Sequence, residues 1–187
     1  MRVLAGPPTA VLDANVLYPQ FLRDVLLRLA AAELFAPRWT DRIQDEWTRN
    51  LLRDRPDLTP ERLANTHRHM ARAFPAARVA GYAHLEARFG GVHPKDRHVA
   101  AAALASGATH IVTWNRRDFP ADVLTPYAIE AADPDAFAGA LLDWAGDVAV
   151  GVLEHHRAGL LKPPHTWPAY KAALRVAGLV TAAERLP

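Results

Sequence analysis

Short apolar runs alternate with longer amphipathic segments over the first 145 residues of the chain. Several runs have the length and apolar character of short buried strands: 9–13, 34–38, 78–82, 110–113 and 127–129. Between and after them, apolar residues recur at helical spacing: 21–33, 40–51, 61–74, 97–105 and 133–144. Residues suited to cap a helix begin three of these segments: Thr40, Thr59 and Asp133. The alternation predicts an α/β protein, a three-layer α/β/α fold with a central, mostly parallel sheet.

Beyond Gly146 the pattern predicts helices only, interrupted at Pro163 and Pro164. We therefore divide the chain into an α/β domain over residues 1–145 and a helical C-terminal extension over residues 146–187. Two interpretations of the extension stay open at this point. It either forms a dimerisation or partner-docking element, or it packs back onto the α/β domain.

Composition narrows the class of protein. The chain has 187 residues, half of them apolar, which is enough for a proper core. A net charge of +2 excludes a broadly cationic protein, so a nucleic acid would have to meet a local basic patch. The lack of cysteine excludes disulfides and thiolate metal sites and suits a reducing cytoplasm. The N-terminus does not resemble a signal peptide and no apolar run is long enough for a membrane span, so we expect a cytoplasmic protein without membrane contacts.

Clusters of acidic and amide side chains stand where the predicted strands and helices begin or end: 13–15, 44–47, 95–97 and 113–118. Because ligands of a parallel α/β sheet collect beyond the carboxyl ends of its strands, we expect these oxygens to converge. Carboxylates without His or Cys companions are typical ligands of a hard cation such as Mg²⁺ or Mn²⁺. The pattern predicts a metal-dependent phosphodiester hydrolase with these candidate ligands: Asp13, Glu46, Asp96, Asp118 and Asn115.

Each of these acids also has an ordinary structural interpretation. Asp96 suits a helix N-cap, Asp118 suits a turn, and Glu46 suits a solvated carboxylate on a helix. Asp13 is the hardest to explain in this way, because a carboxylate that closes an apolar strand has no obvious structural purpose. The ordered set supports a metal site more strongly than any single member does.

Residues beside this set are candidates for substrate contacts. Thr113 either orients a metal-bound water or hydrogen-bonds to the backbone of its strand. Arg116 and Arg117 either hold scissile or flanking phosphates or belong to a solvated loop. The predicted helix 61–74 is rich in Arg and His, which suits a surface that contacts nucleic-acid phosphates as well as a merely soluble one.

These motifs, in this order, resemble a PIN domain, and most closely the VapC-type toxins of bacterial toxin–antitoxin pairs. The resemblance covers residues 9–142 and is carried by the segment 11–17, Glu46, Asp96 ahead of an Ala-rich helix, and the segment 111–119. It implies an endoribonuclease that depends on Mg²⁺ or Mn²⁺ and acts on RNA. It also implies a cognate antitoxin protein that blocks the cleft, and relatives of this kind are often homodimers.

By their family roles, Asp13, Glu46 and Asp96 match the three core acidic ligands. Many relatives carry Asp at the position of Asn115, whereas others have Asn there and an Asp three residues later, as this chain has Asp118. Asp118 is therefore the expected fourth charged ligand. An Asn ligand weakens a second metal site, so the number of metal ions stays open.

Asn115 in place of an acid also leaves an alternative function open. The chain would then be a catalytically weak or inactive PIN-fold module that binds RNA or a partner without cleaving. A nuclease of the same fold that acts on DNA is a further alternative, because carboxylates and metal act on the phosphate and not on the sugar.

Overall fold

A parallel sheet forms the centre of the protein. In the computed structural model of the chain, the described residues are 4–161 and 164–187. The strands of the sheet are β1 (Thr9–Leu12), β2 (Ala36–Arg38), β3 (His110–Val112) and β4 (Glu130–Ala132). They are all parallel and lie in the order β2-β1-β3-β4. The chain thus moves outward from β1 to β2 and then crosses to β3, which creates a switch point beyond the carboxyl ends of β1 and β3.

Helices surround the sheet and form the C-terminal part of the chain. Within the described residues they are α1 (Ala14–Leu17), α2 (Gln20–Ala31), α3 (Asp41–Asp54), α4 (Pro60–Ala73), α5 (Arg97–Ala105), α6 (Ala121–Leu124), α7 (Pro134–Ala145), α8 (Asp147–Gly159), α9 (Trp167–Val176) and α10 (Val180–Glu184). Short 3₁₀ helices occupy Ala83–Phe89, Arg116–Asp118 and Thr125–Tyr127. The predicted α/β fold with a parallel central sheet and C-terminal helices is confirmed. None of the helices in 4–161 and 164–187 is long and apolar enough to span a membrane.

The centre of the sheet is fully buried. Strand β3 and all but the first residue of β1 are buried, which explains the apolar residues 10–12 and 111–112. Helix α5 contacts both strands, and its residues from His98 to Ala103 are buried. The small Ala side chains of α5 let its backbone lie close to the sheet, which brings Asp96, at the start of the helix, to the strand ends.

The predicted helix starts are confirmed by their capping bonds. The Thr40 hydroxyl accepts from the Ile43 N–H at 3.1 Å, and the Asp133 carboxylate accepts from the Ala136 N–H at 2.8 Å. Thr59 caps α4 in the same way. Each cap satisfies a backbone donor that the first turn leaves free.

Two predicted strands are wrong. In place of a strand at 78–82, the described residues there form a single bridge between Trp39 and Arg78. Gly81 has a φ of +71°, which turns the chain out of an extended path. The strand predicted at 127–129 lies at 130–132 instead, because the chain first forms a 3₁₀ turn that ends at Ala128 with a φ of +57°.

The C-terminal helices pack against the α/β domain. His156 of α8 is buried and lies 3.0 Å from Asp24 of α2 through Nε2, while its Nδ1 lies 2.8 Å from the Tyr170 hydroxyl of α9. The division of the chain at residue 145 stays a prediction; α7 ends there and α8 begins two residues later. Of the two prolines predicted to separate helices, Pro163 lies outside the described residues.

Candidate active site

A cleft of about 390 Å³ opens beyond the carboxyl ends of β1 and β3. Its lining includes predicted site residues that are far apart in sequence: Asp13, Glu46, Asp96 and Asn115. Asp13 follows β1, Glu46 lies on α3, Asp96 precedes α5, and Asn115 follows β3. The fold therefore gathers side chains from four elements at the switch point of the sheet.

Asp13 is held rigidly at the floor of this cleft. It is 5% exposed, and both of its carboxylate oxygens accept hydrogen bonds. The Ala14 N–H donates to Oδ1 at 2.7 Å, while Asn15 Nδ2 and the Thr113 hydroxyl donate to Oδ2, each at 2.7 Å. Thr113 also accepts from the Asn115 N–H at 3.0 Å, so its hydroxyl joins the Asp13 carboxylate to the loop after β3.

Burial raises the pKa of Asp13 from 3.8 to about 6. The hydrogen bonds from Thr113 and Ala14 act in the opposite direction, and the charges of Asp96 and Glu46 raise the pKa further. The carboxylate is thus ionised at neutral pH at an energetic cost. A cation beside it would remove that cost.

Asp96 occupies the N-cap position of α5, but its side chain makes no capping bond. The backbone carbonyl of Asp96, rather than its side chain, accepts a hydrogen bond at the start of the helix, from the Val99 N–H at 2.9 Å. Burial raises the pKa of the half-buried Asp96 carboxyl, and the charge of Asp118 adds to the effect. His93 Nδ1 lies 3.3 Å from Oδ2. The carboxylate is therefore available for a ligand rather than used as a helix cap.

Glu46 lies on the wall of the cleft formed by α3, with its side chain 29% exposed. Arg42 Nε is 3.2 Å and His98 Nε2 is 3.4 Å from Glu46 Oε1. Burial by itself would raise the pKa of Glu46. The hydrogen bonds and charges of His98 and Arg42 outweigh this effect and hold the pKa of Glu46 below its ordinary value. His98 is fully buried, and within the described part of the chain neither of its ring nitrogens has a well-aligned hydrogen-bond partner. Glu46 thus stays ionised beside a desolvated imidazole.

The loop after β3 divides its candidates between two places. Asn115 lines the cleft, whereas Asp118 does not line it but lies near enough for its charge to raise the pKa of Asp96. Arg116 lies 3.3 Å from Asp133, and together with Arg117 it lines a separate cavity of about 780 Å³ beside β4. The structure therefore brings Asn115 to the cleft and leaves the two arginines outside it.

Several residues of the cleft were missed by the sequence reasoning: Tyr18, Asn50, Arg53 and Asp54. A signal for most of them was present, because positions four, seven and eight residues after Glu46 share its face of a helix. The apolar spacing predicts a helix only to Leu51, so Arg53 and Asp54 lie beyond the predicted end of the helix. The structure shows that α3 continues to Asp54.

The donor set of the cleft suits a hard divalent cation. Within residues 4–161 and 164–187, no group of three or more His, Cys, Asp or Glu side chains lies close enough together to hold a metal ion. Mg²⁺ commonly keeps several waters and takes one or two carboxylates together with substrate phosphates. Asp13 and Asp96 supply two carboxylates whose pKa values are raised by burial and by neighbouring negative charge. They fit a water-rich magnesium or manganese site.

Trp114 connects the loop after β3 to the C-terminal helices. The backbone N–H of Trp114 donates to Asn15 Oδ1 at 3.1 Å. The indole ring of Trp114 lies against Gly178, between α9 and α10. A Cβ placed on Gly178 would lie 2.5 Å from Trp114 Cη2, well inside contact distance. The C-terminal extension therefore touches the same loop that supplies Thr113 and Asn115.

Replacing Gly178 by Ala is expected to destabilise the protein more than replacing Gly107 by Ala. Both glycines have positive φ, +84° and +63°, so both variants lose about 1 kcal/mol from the backbone. Gly107 has nothing within 4 Å of an added Cβ, whereas Gly178 has Trp114. The clash adds about 1–3 kcal/mol. Urea denaturation of the two variants measures the difference, and equal losses would contradict the Trp114 contact.

The cleft and the parallel sheet define a member of the PIN domain family, and the chain belongs to that family. The family model of the PIN domain matches residues 9–117, and a second model, described as the VapC50 C-terminal domain, matches residues 134–186. The resemblance to a PIN domain is thus confirmed.

A relative in Mycobacterium tuberculosis (strain ATCC 25618 / H37Rv) bears the name "Putative ribonuclease VapC50". It is 42% identical over 74 residues, which are 40% of this chain and 44% of that protein. The similarity therefore spans less than half of the relative's length. No solved structure matches the chain.

Proposed function

We propose that this protein is an endoribonuclease that hydrolyses RNA phosphodiester bonds with Mg²⁺ or Mn²⁺. One observation carries the proposal. Asp13 is buried at the switch point of a parallel sheet, its pKa is raised to about 6, and it shares its cleft with the carboxylates of Asp96 and Glu46. Such a group is costly to keep charged unless a cation binds beside it. The PIN family and the relative named as a ribonuclease support the same function.

Asp13 and Asp96 would hold the ion in this proposal, and Glu46 would add a carboxylate from α3. Asn115 would complete the polar lining of the cleft, and Asp118 would add its negative charge from just outside the lining. When bound, the cation lowers the pKa of a water molecule and neutralises charge that develops on the phosphate. Thr113 fixes the Asp13 carboxylate through its 2.7 Å hydrogen bond. No covalent intermediate between enzyme and RNA is needed.

The biological role follows from the relatives and not from the cleft. The match to the VapC50 C-terminal domain and to the VapC50 protein supports a toxin of a toxin–antitoxin pair. A cognate antitoxin would then be a partner that covers the cleft, and a homodimer is a further prediction.

The second candidate function is a PIN-fold module that binds RNA without cleaving it. Asn115 favours this alternative, since it places a neutral amide in the cleft where an acid would complete the metal site. The neutral amide of Asn115 weakens the binding of a second cation. A module that binds RNA without cleaving it does not need that cation.

Cleavage of a labelled single-stranded RNA in the presence of Mn²⁺ or Mg²⁺ tests the proposal. We expect the RNA to be cleaved with either ion and to stay intact when EDTA is added. A single-stranded DNA of the same sequence should not be cleaved. RNA that is bound but never cleaved would support the non-catalytic module. Cleavage of DNA in preference to RNA would overturn the assignment of substrate.

A further inference from the structure

The face of α3 beyond Glu46 carries a second polar network in the same cleft. Arg53 Nε and Nη2 donate to the two oxygens of Asp54 at 2.8 and 3.2 Å, and Arg53 Nη1 donates to Asn50 Oδ1 at 3.3 Å. The hydroxyl of Tyr18, which follows α1, donates to Asp54 Oδ2 at 3.0 Å. All four residues line the cleft together with Asp13 and the other carboxylates.

This network fixes the guanidinium of Arg53 at the surface. The side chain is 70% exposed, yet contacts to Asp54 and Asn50 restrict its orientation. A guanidinium has five N–H donors, and three are used here, which leaves two for a ligand. A planar donor pair of this kind matches the oxygens of a phosphate.

We propose that Tyr18, Asn50, Arg53 and Asp54 form a nucleotide subsite for single-stranded RNA. In this subsite Arg53 binds the phosphodiester next to the one that is cleaved. The inference rests on the proposed ribonuclease function and extends it to the path of the RNA strand across the protein. The strand runs from the carboxylates along α3 towards the end of that helix.

The shape and charge of the cleft support this occupant. Asp13, Glu46 and Asp96 line its carboxylate end, and Arg53 lies about two helical turns further along α3 from Glu46. The cleft of about 390 Å³ therefore joins these carboxylates to Arg53 along one helix. Cationic donors beside a scissile phosphate position the strand without reading its sequence.

The chain offers a matched control for Arg53. Arg55, two residues later, binds Asp57 with a similar two-bond geometry, at 2.8 and 2.7 Å, and is also exposed. Arg55 does not line the cleft. The variants Arg53→Ala and Arg55→Ala therefore remove the same charge and the same kind of ion pair, but only one of them removes a group from the cleft.

Binding of a fluorescent single-stranded RNA oligonucleotide, followed by anisotropy with Ca²⁺ over a series of KCl concentrations, tests the subsite. A gel confirms that the RNA stays intact, and circular dichroism confirms that each variant is folded. We expect Arg53→Ala to weaken binding about tenfold, as for a hydrogen bond to a charged group. The slope of log affinity against log salt should fall by about 0.7 in magnitude, the value for one phosphate contact on a single strand.

Arg55→Ala should change the affinity by less than about twofold and leave the slope unchanged, because it lies outside the cleft. Arg53→Lys should keep the salt slope, since it keeps the positive charge. It should lose part of the affinity, because lysine lacks the planar pair of N–H donors of the guanidinium. Equal effects of Arg53→Ala and Arg55→Ala, in a protein that binds RNA, would overturn the subsite and leave the ribonuclease proposal standing. Absence of RNA binding by the unaltered protein would overturn both.

Discussion

Asp13→Asn is expected to lower kcat/KM for RNA cleavage at least about a hundredfold. Loss of an outer-shell partner of a metal ligand already costs about 10–100-fold, so loss of a ligand charge should cost more. The variant keeps the shape of the side chain. It removes the negative charge and replaces one acceptor oxygen with an NH₂ group, which faces either the Ala14 N–H or the donors of Asn15 and Thr113.

The matched control for this variant is Asp41→Asn. Asp41 lies at the start of α3, is exposed, and pairs with Arg78 outside the cleft. The Asp41→Asn variant should retain full activity, because a surface ion pair contributes little to stability and no residue of the cleft depends on this pair. Initial rates of RNA cleavage at saturating Mn²⁺ measure both variants. Activity in Asp13→Asn equal to that of Asp41→Asn would remove Asp13 from the metal site.

The metal-free protein should lose stability as the pH rises through the pKa of Asp13. The folded-state pKa of about 6 lies above the ordinary value of 3.8, so the folded protein binds this proton more tightly than the unfolded chain does. The stabilisation is complete below pH 3.8 and is lost as the pH rises through 6. The difference corresponds to about 3 kcal/mol in full, of which about 2 kcal/mol falls between pH 4 and pH 7.

A comparison with Asp13→Asn isolates this effect from other titrating groups. Burial lowers the pKa of His67 and of His110, and these groups act in the opposite sense, because their stabilisation is lost as the pH falls below 6.5. Urea denaturation in EDTA should show the free energy of unfolding of the unaltered protein falling by about 2 kcal/mol relative to Asp13→Asn between pH 4 and pH 7. A constant difference would mean that Asp13 titrates normally.

The parts of the fold that were predicted correctly have local signals. β1 and β3 are continuous apolar runs because they are buried on both faces, and the helix caps are recognisable from single residues. The wrong strands, at 78–82 and 127–129, contain Gly81 and Ala128 with positive φ. The positive φ of Ala128 could not be predicted from the sequence, since Ala rarely adopts positive φ and only the surrounding turn imposes it.

The site divides in a similar way. The meeting of Asp13 and Asn115 could be predicted, because they follow β1 and β3 and parallel strands end at one edge of the sheet. Glu46 lies on α3 and Asp96 precedes α5, so their place beside Asp13 rests on the order of the motifs rather than on the strands. The contact between Tyr18 and Asp54 and the packing of Trp114 on Gly178 join residues that are far apart and have no shared pattern. Such pairs are fixed by the packing of elements, which the sequence of either partner does not specify.

Asp13 and its neighbours form a cation site in our proposal, and a calorimetric titration with Mn²⁺ at neutral pH tests this most directly. The unaltered protein should bind Mn²⁺ with release of a fraction of a proton, because the ion lowers the raised pKa of Asp13. Proton release is read from the dependence of the heat on the ionisation enthalpy of the buffer. Asp13→Asn should weaken binding at least about tenfold. Absence of binding to the unaltered, folded protein at millimolar Mn²⁺, or equal binding by the variant, would contradict the account.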